Sequence, residues 1–125
     1  MIMDDFKARR TWAVVGSVHN SEKFAYKVYQ FLKSRGYDVF AVDPTGKDVD
    51  GDKSYISLSS LPVVPEAVDM VINPVKGKEY LDEANSLGIK YLWFQPGADS
   101  PELVDAAIAN GMIVTYNKCV MVDMR

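Results

Sequence analysis

Short apolar runs alternate with longer amphipathic segments along nearly the whole chain, and that alternation leaves few folds open. Thr11-Trp-Ala-Val-Val-Gly16 is apolar without a break. A strand facing water on one side would alternate; an unbroken run is what a strand buried on both faces shows. Tyr37–Val42, Val68–Ile72, Ile89–Phe94 and Met112–Tyr116 repeat the pattern. Between them lie segments with helical spacing. Phe24, Val28, Phe31 and Leu32 mark a helix from about Ser21 to Arg35, with Gly36 just past its end. Tyr80, Leu81, Ala84 and Leu87 mark a second from about Lys76 to Leu87, ended by Gly88. The third has the clearest bounds: Ser100 as N-cap, Pro101 at the first helical position, Glu102 in the first turn and Gly111 beyond the end. Ser57–Leu61 reads as a short turn ahead of Pro62, and the residues from Asn117 onward carry no clear pattern.

Strand and helix alternating through short links means βαβ units and a parallel sheet. Right-handed crossovers restrict the topology further. The expectation is one α/β domain over residues 1–125: a Rossmann-like sheet of five parallel strands, order 3-2-1-4-5, with helices on both faces. Such sheets bind ligands beyond the carboxyl ends of the strands, where the order reverses. Here the reversal falls between strands 1 and 4. The loops after Val15, Val42, Ile72 and Phe94 then converge on one rim.

Composition narrows the partners. The net charge is −3 and no basic block occurs, so a general affinity for nucleic acid is not expected. An anion needs a local site. No apolar run approaches the roughly 20 residues that span a bilayer, and Met1–Arg10 has no apolar leader core. Cys119 is the single cysteine, so no intramolecular disulfide can form. These features lead to the expectation of a cytoplasmic protein. One histidine and one cysteine make a zinc site improbable. The phosphate-loop signature G-x-x-x-x-G-K-[ST] and the nucleophile elbow G-x-S-x-G are both absent.

The rim holds the candidate site. Gly16-Ser-Val-His-Asn-Ser21 follows strand 1 and opens a helix, whose unpaired amides and dipole suit a phosphate. Gly16 permits a tight turn, Ser17 offers a hydroxyl, and Lys23 can reach back toward an anion. A plain strand-to-helix turn explains the same residues without a ligand. After strand 2 come Asp43, Pro44 and Lys47. An acid here grips the adenosine ribose in dinucleotide enzymes, although Asp43 lies 27 residues past Gly16, beyond the usual spacing of about 20. The alternative reading of Asp43 is a proline turn in which it satisfies backbone donors. Lys47 suits an added ribose phosphate, or is a solvated loop charge. Asn73-Pro74 and Gln95-Pro96 end strands 3 and 4, either as ligand contacts or as structural terminators. His19 is placed to bind an anion; base catalysis would need a positioned partner. Cys119 reads as a small buried residue. Trp12, Trp93 and Phe94 lie within strand patterns and read as core. No catalytic constellation emerges, so an enzyme is not expected.

Several segments together resemble a known family. Val14-Val-Gly-Ser17, Gly36-Tyr37, Val42-Asp-Pro44, Ser57-Leu58 with Leu61-Pro62, Val68-Asp69 and Trp93-Phe-Gln-Pro-Gly97 occur in the order seen in stand-alone CoA-binding domain proteins. These are similar to the CoA-binding domain of the succinyl-CoA synthetase α subunit. The resemblance implies a Rossmann-like fold that binds coenzyme A at the strand carboxyl ends. It implies that Gly16, Ser17, Val18 and His19 hold phosphates and that Lys47 meets the adenosine phosphate end. Asn73 and Pro74, with Phe94 and Gln95, would complete the site. The chain departs from the family pattern at His19–Lys23, where many members carry a proline and an arginine, and at Asp43, where asparagine is usual. The synthetase's phosphohistidine lies in a second domain with no counterpart in these residues, so its activity is not implied.

Three functions follow as expectations. The first is a non-catalytic protein binding coenzyme A or acyl-CoA, sensing it or presenting it to a partner protein of unknown identity. The second is a redox sensor or enzyme subunit binding NAD(H), supported by Asp43. The third is an interaction protein whose nucleotide site has decayed, supported by the departures in the first loop.

Overall fold

A computed structural model describes residues 2–124. Its centre is β1 (Thr11–Gly16), in which Trp12 to Gly16 are all buried. The unbroken apolar run has its expected cause: β1 pairs in parallel with a strand on each side. On one side lies β2 (Asp38–Val42), with Val15 opposite Val42. On the other lies β4 (Ala67–Val71), with Gly16 opposite Val71. β5 (Tyr91–Phe94) and β6 (Ile113–Thr115) continue the parallel sheet beyond β4. The remaining strand is β3 (Ser54–Tyr55), two residues paired with Ala41 and Val42 at the outer edge of β2.

The sheet thus has six strands in the order β3-β2-β1-β4-β5-β6. The expected string of positions is present, extended by one strand, but one occupant differs. The outer place expected for the Val68–Ile72 run belongs to Ser54–Tyr55, and that run is β4, beside β1. Two residues in a polar stretch carry no readable strand period. They pair because Ser54 is drawn in: its hydroxyl donates to the Lys47 carbonyl at 2.7 Å, and its amide to Asp48. The order therefore reverses between β1 and the Val68–Ile72 run, not between β1 and Ile89–Phe94 as expected.

Helices cover both faces. On one, Leu81 and Ala84 of α3 (Pro74–Ser86) and Leu103 and Ala107 of α4 (Pro101–Ala109) meet Val15, Met70 and Leu92. On the other lie α1 (Ile2–Lys7), α2 (Phe24–Ser34) and α5 (Val120–Asp123). Their Phe6, Val28, Leu32 and Val120 join Trp12, Val14 and Trp93. Trp12, Trp93 and Phe94 are core residues, as expected. Both buried indoles are satisfied, Trp12 by the Arg9 carbonyl and Trp93 by that of Lys118. α2, α3 and α4 end alike: the amide two residues past the cap reaches back to close the last turn (Tyr37 to Leu32, Ile89 to Ala84, Met112 to Ala107). Gly36, Gly88 and Gly111 supply the positive φ this closure requires.

One residue breaks the pattern of satisfied burial. Asp69, in the middle of β4, is fully buried, and neither carboxyl oxygen has a hydrogen-bond partner. Burial pushes its carboxyl well above the usual range. Among the described residues no helix is long and apolar enough to cross a membrane.

Candidate functional site

The carboxyl ends of β1 and β4 come unusually close. A Cβ on Gly16 would lie 2.3 Å from the carbonyl oxygen of Val71 and 3.1 Å from Ala25 Cβ, so only glycine lets β1, β4 and α2 meet here. Past Gly16 the chain makes turns before it becomes helical. The Val18 amide donates to the Gly16 carbonyl, and Asn20 gathers Glu22 with its side chain and Lys23 with its carbonyl. The helix expected from about Ser21 therefore starts at Phe24. Lys23 is its N-cap and makes no side-chain cap, and no acid stands in the first turn. The first amides of α2 have no intrahelical acceptor, and the helix dipole adds positive potential at that end.

These amides open onto a cleft of about 330 Å³. Ser17, Lys23, Phe24 and Ala25 form one wall, Asp43, Pro44 and Thr45 a second, and Val71, Ile72, Asn73 and Lys76 the third. A second, more apolar cleft of about 500 Å³ shares Phe24, Val71, Ile72 and Asn73 and continues to Pro96, Gly97 and Ala98. A cationic recess and a less polar channel thus join along the sheet edge where the strand order reverses.

A family model for the CoA binding domain matches residues 10–125. The chain belongs to this family. The α subunit of the ADP-forming acetate–CoA ligase II of Pyrococcus furiosus is 26% identical over 95% of this CoA binding domain, which spans 28% of that relative's length. Among solved structures, a hypothetical protein from Pyrococcus horikoshii OT3 superposes with a TM-score of 0.90 at 32% identity, covering 98% of this chain and 86% of that one. A Thermus thermophilus protein, cell-free ID.343, gives 0.87 at 27% identity, covering 99% and 97%. The dinucleotide-forming acetyl-coenzyme A synthetase 1 of Ca. Korarchaeum cryptofilum shares the fold, with a TM-score of 0.74 at 22% identity over 91% of this chain and 27% of that one.

Within this CoA binding domain the rim residues divide into those that face the cleft and those that build it. Of the sequence candidates, Ser17, Lys23, Pro44 and Asn73 line it. Asn73 also caps α3, its Oδ1 accepting from the Lys76 amide at 3.0 Å, and Pro74 occupies the first turn. Asp43 reaches the cleft wall but is fully buried, with both oxygens engaged inside the protein. Oδ2 accepts from the His19 amide at 3.0 Å and bonds the His19 ring at Nδ1, 2.5 Å away. Oδ1 accepts from the Thr45 amide and hydroxyl at 2.9 and 2.8 Å. Burial alone would raise this carboxyl, but the bonds from His19 and Thr45 prevail and hold it below the usual range. The ionised Asp43 makes the ring Nδ1 the donor. Asp43 and His19 thus form a brace that joins the loop after β1 to the loop after β2.

Four expected contacts lie elsewhere. The Val18 side chain is buried in the core. Lys47 is an exposed loop residue outside the cleft, its amide held by the Thr45 hydroxyl. Phe94 packs into the core. Gln95 is fully buried and turned toward the C-terminal segment, its Oε1 accepting from the Val120 amide at 3.0 Å and its Nε2 donating to Cys119 Sγ at 3.4 Å. A residue one step past a strand end alternates inward as readily as outward, and here the open amide of Val120 decides it. Sequence reasoning missed Phe24, Thr45, Lys76 and Pro96–Ala98. Lys76 carried a readable signal: it lies in the first turn after the rim pair Asn73-Pro74. Among the described residues no group of His, Cys, Asp and Glu is placed to hold a metal ion.

Proposed function

We propose that the joined clefts bind coenzyme A or an acyl-CoA, and that the protein senses this ligand or presents it to a partner rather than transforming it. The observation that carries this reading is the uncapped start of α2. Its free amides and Lys23 face a recess that leads into a less polar channel. The amides, Ser17 and Lys23 suit phosphates; the channel past Phe24 toward Pro96–Ala98 suits the longer, less polar pantetheine arm. Membership of the CoA binding domain family supports the same ligand. The ligase chemistry of the longer relative is not proposed for this chain.

The NAD(H) reading depends on Asp43 as acceptor for a ribose diol. Both Asp43 oxygens are already taken by His19 and Thr45, which removes that support. Thermal melts and calorimetry with CoA, acetyl-CoA, dephospho-CoA, NADH and NADPH test the proposal. CoA at 100 times its dissociation constant should stabilise the protein by about 2.7 kcal/mol. Saturation by NADH with no response to CoA would overturn it. No response to any of the five would favour a decayed site.

A further inference from the structure

We propose that Lys76 makes this cleft selective for two phosphates in tandem over a single one, an inference that rests on the coenzyme A reading of the site. Lys23 comes from α2, packed on one face of the sheet, and Lys76 from α3, packed on the other. Both line the same recess, across the gap between β1 and β4. Neither makes an ion pair among the described residues, whereas Lys33 is paired with Asp52 and Lys78 with Asp82. Lys23 stands at the N-cap of its helix and Lys76 in the first turn of its own, where the dipole favours carboxylates and opposes ammonium groups. Neither helix has an acid in its first turn to offset this. Among the described residues Asp43 is the one carboxylate that lines the recess, and its oxygens are bonded to His19 and Thr45.

Two ammonium groups therefore line one recess from opposite walls, neither of them ion-paired among the described residues, and the Asp43 carboxylate beside them is turned to His19 and Thr45. A single phosphate at the start of α2 answers Lys23 and leaves Lys76 unmatched. A diphosphate, extended across the gap, answers both. Lys76 then carries opposite consequences for the two states of the protein: it opposes folding of the unliganded chain and strengthens binding of the diphosphate.

The full chain and its Lys76→Ala and Lys76→Gln variants should be compared by thermal melts at low salt. Each should then be titrated calorimetrically with inorganic phosphate, pyrophosphate, CoA and pantetheine. Both variants should melt above the wild type when unliganded. Both should lose about tenfold in affinity for CoA and for pyrophosphate, the loss expected of one charge-assisted contact. Pantetheine binding should not change, and Lys78→Ala, which removes a paired lysine, should leave both anion affinities intact. Variants that melt no higher and bind CoA and pyrophosphate like the wild type would overturn the proposal. Wild-type protein that binds inorganic phosphate as tightly as pyrophosphate would overturn it as well. A wild type that binds pyrophosphate but not CoA would refute the coenzyme A reading while leaving the role of Lys76 in place.

Discussion

A methyl group is all that separates Gly16 from a collision with the Val71 carbonyl, so the junction of β1, β4 and α2 depends on one missing atom. Gly16→Ala should destabilise the protein by about 3 kcal/mol or more, since backbone on backbone cannot yield as a side chain end can. A urea midpoint close to that of the wild type would contradict the close approach. Two aspartates make opposite predictions about pH. Asp43 titrates below the usual range in the folded protein. Its contribution is present above the unfolded value near 3.9 and is lost as pH falls through the folded value. Asp43→Asn should remove that acid-side loss and cost about 2 kcal/mol at neutral pH, because an amide cannot accept from His19 and Thr45 together. Asp69 titrates well above the usual range, so folding binds a proton. Stability should then fall as pH rises from about 4 until the folded value is passed, by at most about 1.4 kcal/mol per pH unit. Melting curves of Asp69→Asn should lack that slope. The burial of Asp69 was not legible in Val68-Asp69, because a strand position shows its surroundings only once its neighbours are placed.

At the level of elements, the three long helices begin differently and end alike. α4 is capped by Ser100, whose Oγ accepts from the Leu103 amide at 3.2 Å, and α3 by Asn73. α2 has no side-chain cap. Ser100→Ala and Asn73→Ala should each cost about 1 kcal/mol in chemical unfolding. Only Asn73→Ala should also weaken CoA binding, because only Asn73 lines the clefts. Equal effects on CoA affinity would count against that placement. The bounds of α4 were readable because Ser100, Pro101 and Gly111 act on their immediate neighbours. The start of α2 was not: Ser21 has the composition of a cap, but Asn20 holds Glu22 and Lys23 in turns and delays the helix to Phe24. Glu83 of α3 does similar work at a distance, accepting from the amides of Leu58 and Ser59 and so fixing the turn before Pro62.

Across the molecule, the site lies where two helix layers meet around the edge of one sheet. Lys23 and Lys76 reach it from opposite faces, and the braces beneath it join segments more than twenty residues apart: His19 to Asp43, and Gln95 to Val120. Gln95 anchors the C-terminal segment to the end of β5. Gln95→Ala should destabilise the protein by about 2 kcal/mol by leaving the buried Val120 amide unpaired, with CoA affinity little changed. Urea unfolding and calorimetry on the same variant check both halves; a large loss of affinity at unchanged stability would restore Gln95 as a ligand contact.

Period, caps and helix-ending glycines were enough to determine from sequence alone the parallel α/β sheet and the carboxyl-end rim on which its loops converge. Those signals act over a few residues, and the buried strands at the centre leave them little to compete with. Tertiary structure alone decided which polar residues at the rim face the cleft and which turn inward, and that the outermost strand is Ser54–Tyr55. A polar group beside a strand end takes its direction from the nearest unsatisfied partner. For Asp43 and Gln95 those partners include His19 and Val120, brought within bonding distance only when the chain is folded.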